Sequence, residues 1–227
     1  MLGQRQLPAR PLVLVAAPFL ASGAALLVYI LSGVSLRWTL LALAGAAVGV
    51  LVLASRWMAP ERRRRLRRRI GVGAVAGVAA TIAYDGVRIG LVEFAGLRID
   101  PIEAWRLFGL ALLGDAAPAT LVMTVGTLFH LTNGVGFAIA YTVAFGTRGI
   151  AAGVIWAFVL EGFMVSVYPG WLGLKALEEF LSVSILGHVA YGVVLGYLAR
   201  HLLRHPRWGE HDHHPATGIP DPTGEAG

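Results

Sequence analysis

The sequence predicts an all-α integral membrane protein with six transmembrane helices. Three observations carry this. Of the 227 residues 56% are hydrophobic, with a mean hydropathy of +0.68. Only 14% are charged, against roughly 25% in soluble domains. Several apolar runs reach the ~20 residues that span a bilayer core. The net charge of +6 would suggest nucleic acid in a soluble chain. Here the basic residues flank apolar runs, as they do at the ends of membrane spans, so no nucleic-acid partner is expected.

The first span is expected over residues 11–31, behind Arg5 and Arg10, as an uncleaved anchor rather than a signal peptide. The second covers residues 38–55, with Gly45 and Gly49 at the spacing of close helix packing. Neither contains a charge, so both read as a peripheral hairpin. A basic stretch at 56–69 follows, including Arg62–Arg65 and Arg67–Arg69. It reads as a cytoplasmic loop, with anionic lipid as the partner at Arg62–Arg69. The third span is residues 70–96. Residues 101–114 alternate apolar and charged groups at helical spacing, which suits a helix lying at the interface. The fourth span is 119–145, the fifth 150–168 and the sixth 179–203, with a tight turn at 146–149 and a loop at 169–178.

Of 19 Lys and Arg, 14 then fall on one side and four on the other, with Arg88 inside a span. The basic side is expected inside. This places both termini in the cytoplasm of a bacterium, with the protein in the inner membrane. Three regions result: residues 1–69 as hairpin and basic loop, 70–204 as a four-helix core, and 205–227 as a disordered, His-rich tail. In that tail His211, Asp212, His213 and His214 have chelating composition.

Spans three and five align without a gap. Ala76-Gly77-Val78 matches Ala152-Gly153-Val154, and Asp85-Gly86 matches Glu161-Gly162. Spans four and six match through His130-x-x-Asn133-Gly134 and His188-x-x-Tyr191-Gly192. An acid-bearing span followed by a His-bearing span thus occurs twice, in the same direction. That predicts a pseudo-twofold axis along the membrane normal.

The candidate site follows from depth. At 1.5 Å per residue, Asp85, His130, Glu161 and His188 each lie about 10–16 Å below the same membrane face. Ionisable groups at that depth are costly and should face one another within the bundle. Tyr84, Arg88, Asn133 and Tyr191 are the supporting polar groups, with Asp85–Arg88, His130–Asn133 and His188–Tyr191 each sharing a helix face. Three uses remain open. The two histidines, with or without Asp85 and Glu161, bind a metal ion or a haem iron, for which imidazole and carboxylate suit a divalent transition metal. They serve as the proton-coupling site of a small-molecule transporter. Or they lock helix register in an accessory or assembly subunit, within a homo-oligomer or larger membrane complex. Absence of cysteine removes thiol catalysis, thiolate ligation and disulfides. There is no GxSxG elbow and no P-loop.

The GHxxYG segment at Gly187–Gly192 and the HxxNG segment at His130–Gly134 resemble motifs of small multi-pass bacterial membrane proteins of unknown function. The resemblance covers spans three to six and implies no particular activity.

Overall fold

The computed structural model describes residues 14–172 and 177–205. The expectations for residues 1–13, for part of the 169–178 loop and for the tail beyond 205, with its histidine cluster, lie outside the described residues. The described residues form seven helices: α1 (Leu14–Ser32, with a 3₁₀ turn at Ala17–Leu20), α2 (Leu36–Trp57), α3 (Pro60–Ala95), α4 (Glu103–Leu113), α5 (Ala119–Phe145), α6 (Ile150–Leu172) and α7 (Leu177–Arg204). All except α4 contain a stretch long and apolar enough to cross a membrane. The protein is an all-α, six-span membrane protein.

Two boundaries differ from expectation. The arginine stretch is helical, because α3 starts at Pro60 and runs unbroken to Ala95. Proline suits the first helical position, and arginine is a good helix former. Nothing between Glu61 and Ile70 interrupts the ladder. Helix α6 likewise runs past the expected end at residue 168, through Pro169 to Leu172. The proline falls in the last turn.

The core is a row of four helices in the order α5, α3, α7, α6, with α4 laid against α5. Helix α3 is central because one stripe carries small residues at helical spacing. Gly73, Ala76, Gly77, Ala80 and Thr81 are buried along it, followed by Tyr84, Arg88 and Val92. Small side chains let backbones approach. A Cβ on Gly77 would stand 2.8 Å from Ala138 Cβ and from Val135 Cα, on α5. On the other side of the row, Gly153 meets Gly192 and Gly196 of α7 just as closely. Phe108 and Phe129 clamp α4 onto α5 in a T-shaped contact at 5.4 Å. Helix α1 packs through Ser22, Ala25 and Leu26, while the apolar window of α2 has no buried residue. That face suits lipid.

One end of the bundle gathers the arginines. Arg69 donates to the Val143 carbonyl at 2.7 Å, and Arg68 donates to the carbonyls of Leu202, Leu203 and His205 at 3.1–3.3 Å. The α5–α6 turn lies at this end, using Gly146 (φ 61°) and Gly149 (φ 87°) for backbone that L side chains avoid. The 56–69, 146–149 and 200–204 segments therefore share one membrane face, as the charge pattern requires.

Candidate functional site

Helix α3 changes character at Tyr84. Below it the buried stripe is Gly and Ala with Thr81; from Tyr84 to Arg88 it is aromatic and charged. The change falls about 15 Å from the end of α3 at Ala95, at the expected depth.

Two carboxylate–histidine pairs form there, each across two helices. Asp85 of α3 presents both carboxylate oxygens to His130 Nε2 of α5, each at 3.1 Å. Glu161 of α6 places Oε2 2.7 Å from His188 Nδ1 of α7. The same Nδ1 lies 3.0 Å from the Ser184 carbonyl. Both neighbours accept hydrogen bonds, so Nδ1 carries the proton and Nε2 is left for other partners. The Ser184 hydroxyl donates to Glu161 Oε2 at 2.9 Å.

Tyr84 stands beside both histidines. Its ring is 4.8 Å from that of His188, edge-on, and 6.0 Å from that of His130. Arg88 lies 5.0 Å over the same ring and 3.9 Å from Asp85. On the far side of His130 the Trp105 ring of α4 packs at 5.5 Å. The Tyr191 hydroxyl donates to the Gly134 carbonyl at 2.6 Å, tying α7 to α5.

These groups surround a cavity of about 80 Å³. Tyr84, Arg88, His130, Asn133, His188 and Tyr191 line it, together with Phe108, Phe137 and Phe180. Asp85 and Glu161 stand behind their histidines and do not line it. Several polar atoms here are buried without a protein partner: Thr81 Oγ1, Arg88 Nε, Trp105 Nε1, Asn133 Oδ1 and Glu161 Oε1. Orphan polar atoms are expensive in a low-dielectric interior. A small polar occupant or a few waters in the cavity would satisfy those of Thr81, Arg88 and Asn133, which line it.

The cavity exists because the row of helices is asymmetric. A twofold exchanging the two halves would press α5 against α6 as closely as α3 against α7. The latter pair packs along much of its length, whereas α5 and α6 scarcely touch. Trp156 Nε1 bridges them to the Phe137 carbonyl at 3.2 Å, toward the arginine-rich end. Nearer the other face the two helices leave room. There Tyr29 of α1 meets Trp171 of α6 edge-on at 6.2 Å, and Phe108 of α4 stacks on Trp171 at 5.9 Å.

All eight expected residues therefore sit in one region, in a grouping different from the expected one. His130, His188, Asp85 and Glu161 form two pairs, not one four-membered set. Among the described residues no three His, Cys, Asp or Glu side chains come together as a metal would need. The cavity of about 80 Å³ has room for a few waters. Three contributors were missed. Ser184 was available to sequence reasoning, being four residues before His188 on the same helix face. Trp105 and Thr81 carry no such signal, because only the tertiary packing brings Trp105 against His130 and Thr81 to the cavity.

No curated protein matches the chain, and no solved structure does. Residues 67–209 match the family described as Family of unknown function (DUF6789). That segment begins within the arginine stretch and includes all four core helices, both carboxylate–histidine pairs and the helix that caps them. It covers more than half of the sequence, so the chain belongs to the DUF6789 family.

Proposed function

We propose that the protein is a proton-coupled transporter of a small polar solute in a bacterial inner membrane, with the arginine-rich face and both termini in the cytoplasm. The observation that carries this is the doubled carboxylate–histidine pair around one small cavity lined by unpartnered polar atoms. Histidine is the side chain whose charge changes between about pH 5 and 8. With both imidazoles neutral, Asp85, Glu161 and Arg88 give the region one net negative charge. With both protonated the net charge is one positive. A solute in the cavity therefore meets a field whose sign depends on two protons, which is the physical requirement for coupling. The histidines face the solute and the carboxylates behind them hold the rings and receive the added charge. Gly77 meets Gly134 and Ala138; Gly153 meets Gly192 and Gly196, the positions that the sequence alignment equates. This supports an origin of the two pairs in one duplicated helix hairpin.

The test uses vesicles of the purified protein loaded with a pH-sensitive dye. They are challenged with a panel of short carboxylic acids, amino acids, small amines and polyols. At least one solute should shift the lumenal pH, and Asp85→Asn or Glu161→Gln should abolish the shift. Uptake of a panel member with no proton movement, or an unaltered shift in both variants, would contradict coupling at these pairs.

A further inference from the structure

Two sets of arginines at the basic end differ in their partners. Arg68 and Arg69 are engaged by backbone carbonyls of α7 and α5. Arg148, Arg200 and Arg204 have no ion pair among the described residues. With His201 and His205 they line a groove of about 510 Å³ between the start of α6 and the last turns of α7. Ile150 and Ala151 complete it on the α6 side, and Tyr197 on the α7 side.

The backbone adds to the positive charge. The first amides of a helix lack intrahelical acceptors, and the dipole there favours anions over cations. The first turn of α6 nevertheless contains no acid, and the fold brings guanidinium groups to it. A Cβ on Gly149 would stand 3.2 Å from Cδ and Nη1 of Arg200, so this glycine lets the arginine lie against the turn. The Tyr141 hydroxyl, buried at 0% exposure, pins the same turn by donating to the Gly149 carbonyl at 3.0 Å. Across the groove, Tyr197 stacks on His201 at 5.8 Å, and His201 packs on His205 at 4.7 Å. Positive groups held in this way, with no carboxylate among the described residues of the groove, are complementary to an external anion.

We infer that this groove binds an anionic phosphate group. Guanidinium groups at a helix N-terminus match phosphate in charge and in donor geometry. The groove lies at the end of membrane-spanning helices, and its rim includes the exposed Ile150 and Tyr197. That setting suits the headgroup of an anionic phospholipid whose chains run along α6 and α7. A free phosphate offers the same chemistry without the chains.

The full-length protein is placed in phosphatidylcholine nanodiscs, with phosphatidylglycerol added in one arm and inorganic phosphate in the other. Ligand retention is read by native mass spectrometry, and folding by the thermal transition. Wild type should retain the phosphate-bearing probe, and Arg148→Gln with Arg200→Gln should weaken retention about ten-fold or more. Arg37→Gln with Arg56→Gln removes the same charge from exposed positions of α2 and should leave retention within about two-fold. Arg204→Gln with His201→Gln provides a second groove variant should the first not fold. Retention of phosphatidylglycerol identifies a lipid ligand; retention of inorganic phosphate alone identifies a soluble one. Equal losses in groove and control variants would show a diffuse surface effect and overturn the site, as would failure of wild type to retain either probe.

Discussion

Asp85 and His130 meet across α3 and α5 with both carboxylate oxygens 3.1 Å from Nε2, while Arg88 approaches the same carboxylate only to 3.9 Å. The carboxylate is thus shared unequally between an imidazole and a guanidinium. Arg88 is 6% exposed and its Nε has no partner, so Asp85 is its nearest compensating charge. Asp85→Ala should therefore destabilise the protein by about 3–5 kcal/mol, as does removal of one partner from a buried ion pair. Asp85→Ala combined with Arg88→Met should be more stable than Asp85→Ala alone. Thermal unfolding in one detergent compares the two.

The Tyr191 hydroxyl tests a bond of a different kind. It is neutral, buried, and reaches the Gly134 backbone of a neighbouring helix at 2.6 Å. Interhelical hydrogen bonds in membranes average about 0.6 kcal/mol. Tyr191→Phe should cost about 0.6–1.5 kcal/mol and leave the fold intact, which unfolding of the purified variant would measure.

Glycines of α6 should separate packing from propensity. Gly153 lies against the backbone of Gly192 and Gly196, whereas a Cβ on Gly162 meets nothing within 4 Å. Gly153→Val should force α6 from α7 and cost about 1–3 kcal/mol or more. Gly162→Ala should be neutral or stabilise by up to about 1 kcal/mol. A loss at Gly162 as large as that at Gly153 would contradict the packing described.

Orientation can be read cleanly because the chain contains no cysteine. A single cysteine at Ala116, exposed between α4 and α5, should react with a membrane-impermeant maleimide added outside intact spheroplasts. One at Thr147, exposed in the arginine-end turn, should react only after lysis. Reversed labelling would invert the proposed topology.

The spans and the depth of the site were legible because both depend on one-dimensional patterns. Apolar length sets the helices, and a charge inside an apolar run stands out wherever it pairs. The span 119–145 coincides with α5, and Asp85, His130, Glu161 and His188 do lie together. Partner choice was not legible. Equal depth allowed four groups to converge on one point, but α3 separates α5 from α7, and each histidine takes the acid of its own hairpin. Nor did the repeat forecast the open seam between α5 and α6, because sequence equivalence fixes packing within each hairpin and not between hairpins. Helical extension through the arginines was missed because charge was read as loop, whereas arginine by itself favours helix. Trp105 reaches the site from α4, whose docking on α5 depends on the close backbone approach at Gly109 and Gly126.

The central claim is that His130 and His188 carry the protons that link the cavity to pH. Infrared difference spectra of the protein in membranes, recorded between about pH 8 and about pH 5, would follow imidazole protonation directly. The account predicts imidazolium bands from two rings inside the bundle, one lost in His130→Asn and the other in His188→Asn. It also predicts that a transported solute alters both bands. Spectra in which neither substitution removes an imidazolium band would mean that these histidines hold helices together and carry no proton.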